Sequence, residues 1–164
     1  MIRFLEKNNC ESHTNGLSWY AMYYIDSHLS DVNKIEQAAY RIGLKLFGSL
    51  QRSMIAAMRQ YGFYSMEEFQ VMKKEADGYV NWTYRTGDGW LIGAEMVGHI
   101  LHDCKKVLAV QPFGCMPNHI CGRGLYPSIQ QKLPEGRIVS ADVDSGSSKL
   151  NVYNRARMLV DMHI

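Results

Sequence analysis

The sequence has neither a large excess of charge of one sign nor a long hydrophobic run. Lys and Arg number 18 and Asp and Glu number 16 among the 164 residues, which leaves a formal net charge of +2. So small a charge does not indicate a nucleic-acid or anionic-membrane partner. Aliphatic stretches such as residues 107–110 are far shorter than the roughly 20 residues that span a bilayer. We therefore predict no transmembrane helix, no membrane partner and no nucleic-acid partner.

Cysteines are few, and the first residues contain no apolar segment of signal-peptide length. Charged residues and asparagines interrupt the first ten positions, which predicts a cytoplasmic protein. In a reducing compartment we expect the cysteines to have thiol, metal-binding or core roles rather than to form a disulfide framework. With 46% hydrophobic and 21% charged residues, the chain fits one compact domain. The four cysteines are Cys10, Cys104, Cys115 and Cys121.

The first part of the chain, residues 1–85, has the pattern of a helical region. Apolar residues recur at steps of three and four between residues 31 and 61, which predicts one amphipathic helix or two consecutive ones. Ser30 or Asp31 is the expected N-cap because a short polar side chain can accept from the first backbone N–H groups. Gly62 is the expected end of the helical segment.

The second part, residues 86–164, alternates between strand and helix. Short apolar runs predict strands at residues 106–113 and 137–143, with a helical segment at residues 120–133 that Pro127 kinks or divides. A last helix follows the second strand. Two strands joined by a crossover helix are expected to be parallel neighbours. The predicted fold class is therefore α/β, with a helical N-terminal half followed by a small parallel sheet with helices packed on it.

The loops that follow the two strands are expected to open on one edge of the sheet. They comprise residues 114–119 and 142–148, at the carboxyl ends of neighbouring parallel strands. Ligand sites of open α/β sheets lie at this edge. The candidate residues for binding a ligand or a partner loop are Gln111, Gly114, Asn118, His119, Asp142, Asp144 and Ser147.

Cys115 lies in the first loop, next to the predicted start of a helix. Unpaired backbone N–H groups and the helix dipole favour a thiolate there, which suits a reactive or metal-bound cysteine. A buried structural cysteine is the alternative. Cys121 follows six residues later, but this spacing is not that of a standard zinc or ferredoxin site. Cys104 can add a third cysteine ligand only if the fold brings it close to the other two. One or two ligands offered to a partner's cluster are therefore easier to supply than a complete site within this chain.

The second loop is similar to a phosphate-binding loop. Residues 143–149, VDSGSSK, look like the Asp-x-Gly-Ser/Thr-Thr loop of the actin and sugar-kinase class of ATPases. That loop joins two strands of a hairpin, whereas a helical pattern follows here, and no Walker-type glycine-lysine loop is present. We therefore expect no independent ATP hydrolysis. A capped helix N-terminus that holds a phosphate stays open as an alternative.

Four segments of this chain resemble a known family. The resemblance is to the accessory C-terminal region of CoA-substrate-specific enzyme activases, which is related to the 2-hydroxyacyl-CoA dehydratase activator and the benzoyl-CoA reductase system. It covers roughly residues 52–160, and QPFGCMPNH is its most specific part. The segments are TGDGWL at 86–91, QPFGCMPNHI at 111–120, DVDSGSS at 142–148 and NVYNR at 151–155.

The resemblance implies an accessory module of an oxygen-sensitive, ATP-driven iron–sulfur electron-transfer system that acts on CoA thioesters. Its partners would be activase ATPase domains or dehydratase or reductase subunits. The cysteine of the family's string corresponds to Cys115, the one cysteine carried over, as a ligand of a 4Fe–4S type cluster that a partner can share. Cys104 and Cys121 lie outside the family's pattern. Whether the chain is itself part of an enzyme is left open.

A second interpretation belongs to a different functional class. The chain would be a noncatalytic docking module, or would bind acyl-CoA or a phosphate. Residues 114–119 and 144–148 would then form a pocket, and Cys115 would only pack against its neighbours. Direct ligand binding without bound iron would distinguish this alternative from the redox module.

Overall fold

The computed structural model describes residues 1–102, 104–146 and 149–163. The chain divides into two compact units. The sheet unit consists of Met1–Thr14 and His99–Ile164, and the helical unit consists of Asn15–Gly98. Within the described ranges, no helix is long and apolar enough to cross a membrane.

The order of the elements is mostly helical before the first strand and mixed after it. The main elements are α1 (Ile2–Glu6), α2 (Leu17–Ser27), α3 (Lys34–Gln60), α4 (Phe69–Glu75), α5 (Gly89–Leu101), β1 (Lys106–Pro112), a π-helical turn (Asn118–Arg123), α6 (Tyr126–Lys132), β2 (Arg137–Val143) and α7 (Lys149–Asp161). The predicted α/β class, with a helical first half and a small parallel sheet, is confirmed.

The amphipathic pattern of the first half forms a single helix, α3. The predicted N-cap at Ser30 or Asp31 is wrong, since Asn33 caps the helix. Its side-chain oxygen accepts from the backbone N–H groups of Ile35 and Glu36, each at 3.0 Å, and the Glu36 carboxylate accepts from the Asn33 N–H. This reciprocal capping box satisfies more N–H groups than a cap further upstream would.

Gly62 ends α3 as predicted. Its φ of +77° lies in the left-handed region, which glycine adopts without steric cost. The Gly62 N–H donates to the Arg59 carbonyl at 3.0 Å, so one of the carbonyls at the end of the helix is paired.

An aromatic core holds the helical unit together. Tyr23 of α2 and Trp90 of α5 are buried, and their rings meet edge to face with centroids 4.9 Å apart. The Tyr23 hydroxyl donates to the Gly87 carbonyl at 2.8 Å. Phe69 of α4 packs at 6.0 Å from the Trp90 ring. Aromatic pairs of this kind stabilise beyond their buried area, so α2, α4 and α5 are joined at one point.

The sheet unit is built on two parallel strands in a continuous register. Lys106 of β1 pairs with Arg137 of β2 at one end, and Pro112 pairs with Val143 at the other. On one face, Arg123 of the π-helical turn bonds Ser140. An isolated two-stranded sheet is marginal in water, so packing of helices is needed for its stability.

The opposite face of the sheet carries α7. Lys106 donates from its ammonium to the Val160 carbonyl of this helix at 2.7 Å. Val139 and Ala141 of β2 are buried, as are Ala156 and Leu159 of α7. Because side chains alternate along a strand, Val139 and Ala141 point away from the face that holds Ser140. The predicted division near Pro127 also occurs, since α6 begins at the residue before it.

Candidate functional site at the carboxyl edge of the sheet

The strand register places two candidate residues side by side at the carboxyl edge. Gln111 of β1 pairs with Asp142 of β2. Gln111 is only 1% exposed, and its amide Nε2 donates to Asp142 Oδ1 at 2.5 Å. Two residues that are 31 positions apart in sequence are therefore joined by the sheet.

Arg123 completes a polar network with these two residues. Its guanidinium bonds Asp142 Oδ2 at 2.5 Å, and its Nε donates to Ser140 Oγ at 3.2 Å. The hydrogen bond from Gln111 and the bond and charge of Arg123 hold the Asp142 pKa below its ordinary value, against the opposing effect of burial. Asp142 is therefore a carboxylate at neutral pH that binds the π-helical turn to the sheet.

At this edge, two buried side-chain atoms have no hydrogen-bond partner among the described residues. They are the Gln111 side-chain carbonyl oxygen and the Tyr126 hydroxyl. Burial raises the Tyr126 pKa to about 12, with opposing influences from the nearby charges of Arg123 and Asp142. Buried polar groups are normally paired, so two such atoms give this edge unused hydrogen-bonding capacity.

The Cys115 loop begins where β1 ends. Gly114 turns the chain with a φ of +75°, which explains why glycine occupies this candidate position. The Cys115 N–H then donates to the Pro112 carbonyl at 3.2 Å. The thiol is half-buried, at the start of the helical turn that continues into Asn118–Arg123.

Two further candidates contact Cys115 directly. The Asn118 amide Nδ2 donates to the Cys115 sulfur at 3.1 Å. The His119 ring Nδ1 lies 2.9 Å from the Cys115 carbonyl oxygen, and its charge contributes to the low Asp142 pKa. The Cys115 loop and the Asp142 network are therefore adjacent.

Asp144 follows β2 directly and is exposed. Ser147, the last candidate residue, lies outside the described residues. Five candidate side chains and the turn glycine thus lie at one edge of the sheet. These residues are Gln111, Gly114, Cys115, Asn118, His119 and Asp142.

Sequence reasoning missed Arg123 and Tyr126. Arg123 carries a signal that is visible in the sequence, because it is the only Lys or Arg between residues 113 and 131. A lone cation between two strands that end in polar residues is a candidate partner for an acid such as Asp142. Tyr126 has no comparable signal, since only its burial beside these charges sets it apart.

The remaining cysteines differ from Cys115 in their surroundings. Cys121 is buried, and burial raises the pKa of its thiol, which disfavours the thiolate that binds metals. The Cys10 sulfur lies 3.6 Å from the Asn8 carbonyl oxygen. No group of three His, Cys, Asp or Glu side chains able to hold a metal ion occurs among the residues that the structure describes. At this edge, Cys115 supplies one sulfur donor, which is too few to hold a metal ion by itself.

A groove lies on the α7 side of the same edge. It encloses about 560 Å³ between the end of β2 and α7. The end of β2 at Ala141 and Asp142 forms one wall, and the polar side chains of Asn151, Asn154 and the exposed Arg155 come from α7. Such a combination of a guanidinium and two amides is suited to an anionic or hydrogen-bonding ligand.

Comparison of the chain with protein-family models, curated proteins and solved structures finds no match.

Proposed function

We propose that this chain is an accessory module of an activase- or dehydratase-type iron–sulfur electron-transfer system that acts on CoA thioesters. Cys115 supplies one thiolate ligand to a 4Fe–4S cluster whose other ligands come from a partner. The observation that carries the proposal is the hydrogen bond from Asn118 Nδ2 to the half-buried Cys115 sulfur. The motif resemblance supports the choice of system.

The hydrogen bond gives Asn118 a specific task. Donors to the sulfur ligands of a cluster stabilise their negative charge and help to set the reduction potential. An amide donor 3.1 Å from the sulfur fits this task. When bound, a 4Fe–4S cluster would supply one-electron transfer.

The surrounding residues position the Cys115 loop. The 2.9 Å contact between the His119 ring and the Cys115 carbonyl oxygen closes the loop on itself. Asp142, bonded by Gln111 from β1 and by Arg123 from the π-helical turn, fixes the turn against both strands. These contacts hold the thiol at the surface of the sheet unit, where a partner can reach it.

The partners in this proposal are activase ATPase domains or dehydratase or reductase subunits. ATP hydrolysis is assigned to the partner, and the chain itself is proposed to contribute the Cys115 ligand and the surface around it. The cytoplasm is the proposed compartment, since an oxygen-sensitive cluster requires reducing conditions.

The test measures whether the chain binds a 4Fe–4S cluster in which one iron lacks a cysteine ligand. A three-cysteine peptide reconstituted anaerobically with a 4Fe–4S cluster leaves such a site, and visible absorption and electron paramagnetic resonance report its occupation. We expect the natural chain to bind the cluster peptide at least tenfold more tightly than Cys115→Ser. Cys10→Ser removes another half-buried thiol from the same unit and is expected to bind like the natural chain. Equal binding by Cys115→Ser would refute the proposal.

The Asn118 hydrogen bond gives a second readout. Asn118→Leu keeps the thiol but removes the donor, so the cluster-bound complex is expected to have a more negative reduction potential. An unchanged potential would show that the Asn118 hydrogen bond only stabilises the loop.

The groove beside α7 favours one other function, a noncatalytic module that binds acyl-CoA. Arg155 would pair with a phosphate, and Asn151 and Asn154 would bond the polar arm of the ligand. Calorimetric titration with CoA tests this function. Arg155→Gln is expected to weaken binding, whereas Arg157→Gln, whose side chain bonds Asp161 and Asn8, serves as the control. Absence of binding by the natural chain would exclude this alternative.

A further inference from the structure

Only one side of α3 is used by the helical unit. Leu44, Gly48, Gln51 and Ile55 are buried along this side, and α3 packs against α2. They recur at steps of three and four, so they share one face of the helix. At 27 residues, α3 is about 40 Å long, and the opposite face is equally long.

The opposite face presents an apolar stripe that runs the length of the helix. Five large residues on it are between 52% and 84% exposed. With two alanines and a terminal tyrosine, they recur at steps of three or four along the whole helix, without a charged residue among them. The residues of this stripe are Ile35, Ala39, Ile42, Leu46, Leu50, Met54, Ala57 and Tyr61.

The exposed apolar area of the stripe is larger than that of the apolar patches on a typical monomer. With the neighbouring exposed residues Tyr40, Phe47 and Met58, its apolar area is roughly 1,000 Å², because large apolar side chains each carry on the order of 200 Å². The largest apolar patch on a typical monomer is about 300–600 Å². A stable interface buries about 800 Å² on each partner. One helix face therefore offers enough area for a stable dimer.

The two borders of the stripe are complementary in size. On an ideal helix, one border carries exposed small or polar residues such as Ala38, Ser49 and Ala56, and the other carries the large residues Tyr40 and Phe47. In a parallel pair of helices, opposite borders face each other. In an antiparallel pair, large residues would meet large ones and small residues would meet small ones.

We propose that α3 pairs in parallel with α3 of a second copy of this chain through the stripe. The large border of each copy packs over the small border of the other. Lys34, Arg41 and Lys45 lie on the same side of the helix, away from the stripe, so pairing brings no like charges together. This inference is independent of the role proposed for Cys115.

The mass of the full chain in solution tests the pairing. We expect light scattering after size exclusion to give twice the mass of one chain at micromolar concentration. Ile42→Glu with Leu46→Glu is expected to give the mass of one chain with unchanged helical circular dichroism, because both residues are exposed. Gln70→Glu adds a negative charge at an exposed position outside α3 and serves as the control. A natural chain that stays monomeric at tens of micromolar, or a double variant that stays dimeric, would overturn the proposal.

Cysteine cross-linking tests the orientation and does not depend on the charged variants. Ala39 and Ala57 lie on the midline of the stripe. They are 18 positions apart in the sequence, so they are about 27 Å apart along α3. In a parallel pair, Ala39→Cys and Ala57→Cys each form a covalent dimer with themselves on oxidation. In an antiparallel pair, only the mixture of the two variants does. The chain with its four natural cysteines sets the background, and a cross-link confined to the mixture, or none above background, would contradict the parallel pair. Monomeric chain that instead binds anionic lipid vesicles through the stripe would also contradict it.

Discussion

Gln51 in the helical unit and Gln111 in the sheet unit are almost equally buried, at 2% and 1% exposed, but they bond differently. The Gln51 carbonyl oxygen accepts from the Phe69 N–H at 2.8 Å, and its Nε2 donates to the Ser18 hydroxyl at 3.2 Å. Gln111 donates to Asp142, whereas its carbonyl oxygen has no partner within the described part of the chain. Both the oxygen and the nitrogen of the first glutamine are used in joining helices. The second keeps an acceptor at the edge where the candidate site lies.

Two carboxylates show the same contrast. Glu95 of the helical unit is partly buried beside Asp88, and burial followed by the Asp88 charge raises the Glu95 pKa to about 8. In the sheet unit, the Asp142 pKa is lowered by Gln111 and Arg123. Burial and the Asp88 charge disfavour the negative charge on Glu95, although Asn15 Nδ2 donates to its carboxylate. By contrast, the contacts of Gln111 and Arg123 favour the negative charge on Asp142. This difference predicts opposite pH dependences for the two groups.

Gln51→Leu is expected to have the largest effect on stability. The substitution leaves the buried Phe69 N–H and the Ser18 hydroxyl without this partner. Leaving a buried donor unpaired costs about 1–3 kcal/mol. Urea unfolding at pH 7 measures the loss. A loss no larger than that of Gln111→Leu would remove the contrast between the two glutamines.

Glu95→Gln is expected to stabilise the protein at high pH. Because the folded-state pKa lies above the ordinary value of 4.5, the unfolded chain releases the Glu95 proton at a lower pH than the folded protein does. The stability of the folded protein therefore falls as pH rises from about 4.5 to about 8. The natural chain therefore loses stability between about pH 5 and pH 9 relative to the variant, by on the order of 1–2 kcal/mol after allowance for solvent screening. Thermal unfolding of both proteins at pH 4 and pH 9 measures this. A constant difference across that range would show that Glu95 is not responsible.

Asp142→Asn is expected to have a smaller effect with the opposite pH dependence. A lowered folded-state pKa gives stability that is present above the ordinary pKa and is lost as pH falls through the folded-state value. The Asp142 side chain is partly exposed, so we expect a loss of about 1 kcal/mol or less at pH 7. Chemical unfolding at pH 7 and pH 3 tests the sign. The difference between natural chain and variant must shrink at pH 3, and growth of that difference would contradict the assignment.

Gln111→Leu is expected to have the smallest effect on stability. It removes one hydrogen bond to a partly exposed carboxylate and also removes the buried carbonyl oxygen that has no described partner. These changes oppose each other, so the net loss is expected to be under about 1 kcal/mol. Binding of the cluster peptide is the informative readout, because a positioning residue is expected to change it more than stability. Large destabilisation with unchanged binding would make Gln111 a structural residue like Gln51.

Local patterns in the sequence predicted the elements that local physics determines. Steps of three and four marked α3, and apolar runs ending at Pro112 and Val143 marked the strands within one residue. The N-cap of α3 was missed because several polar residues precede the helix. Only the reciprocal bonds of Asn33 and Glu36 select one of them.

The candidate site was predicted in outline but not in its connections. A parallel pair of strands was enough to bring Gln111 and the Cys115 loop to the edge that holds Asp142. Arg123 and Tyr126 were missed because their roles depend on how the π-helical turn and α6 lie on the sheet. The distance between side chains of different elements has no expression in a local pattern.

The sequence by itself determined the helices and strands, the parallel pairing and the apolar character of the α3 stripe, because these depend on residue spacing and on the chirality of short connections. Only the tertiary structure decided which face of α3 is buried, which glutamine keeps a free acceptor, and which carboxylate is favoured as an anion. Those properties depend on burial and on the charges within a few ångströms, and both arise when distant segments pack together.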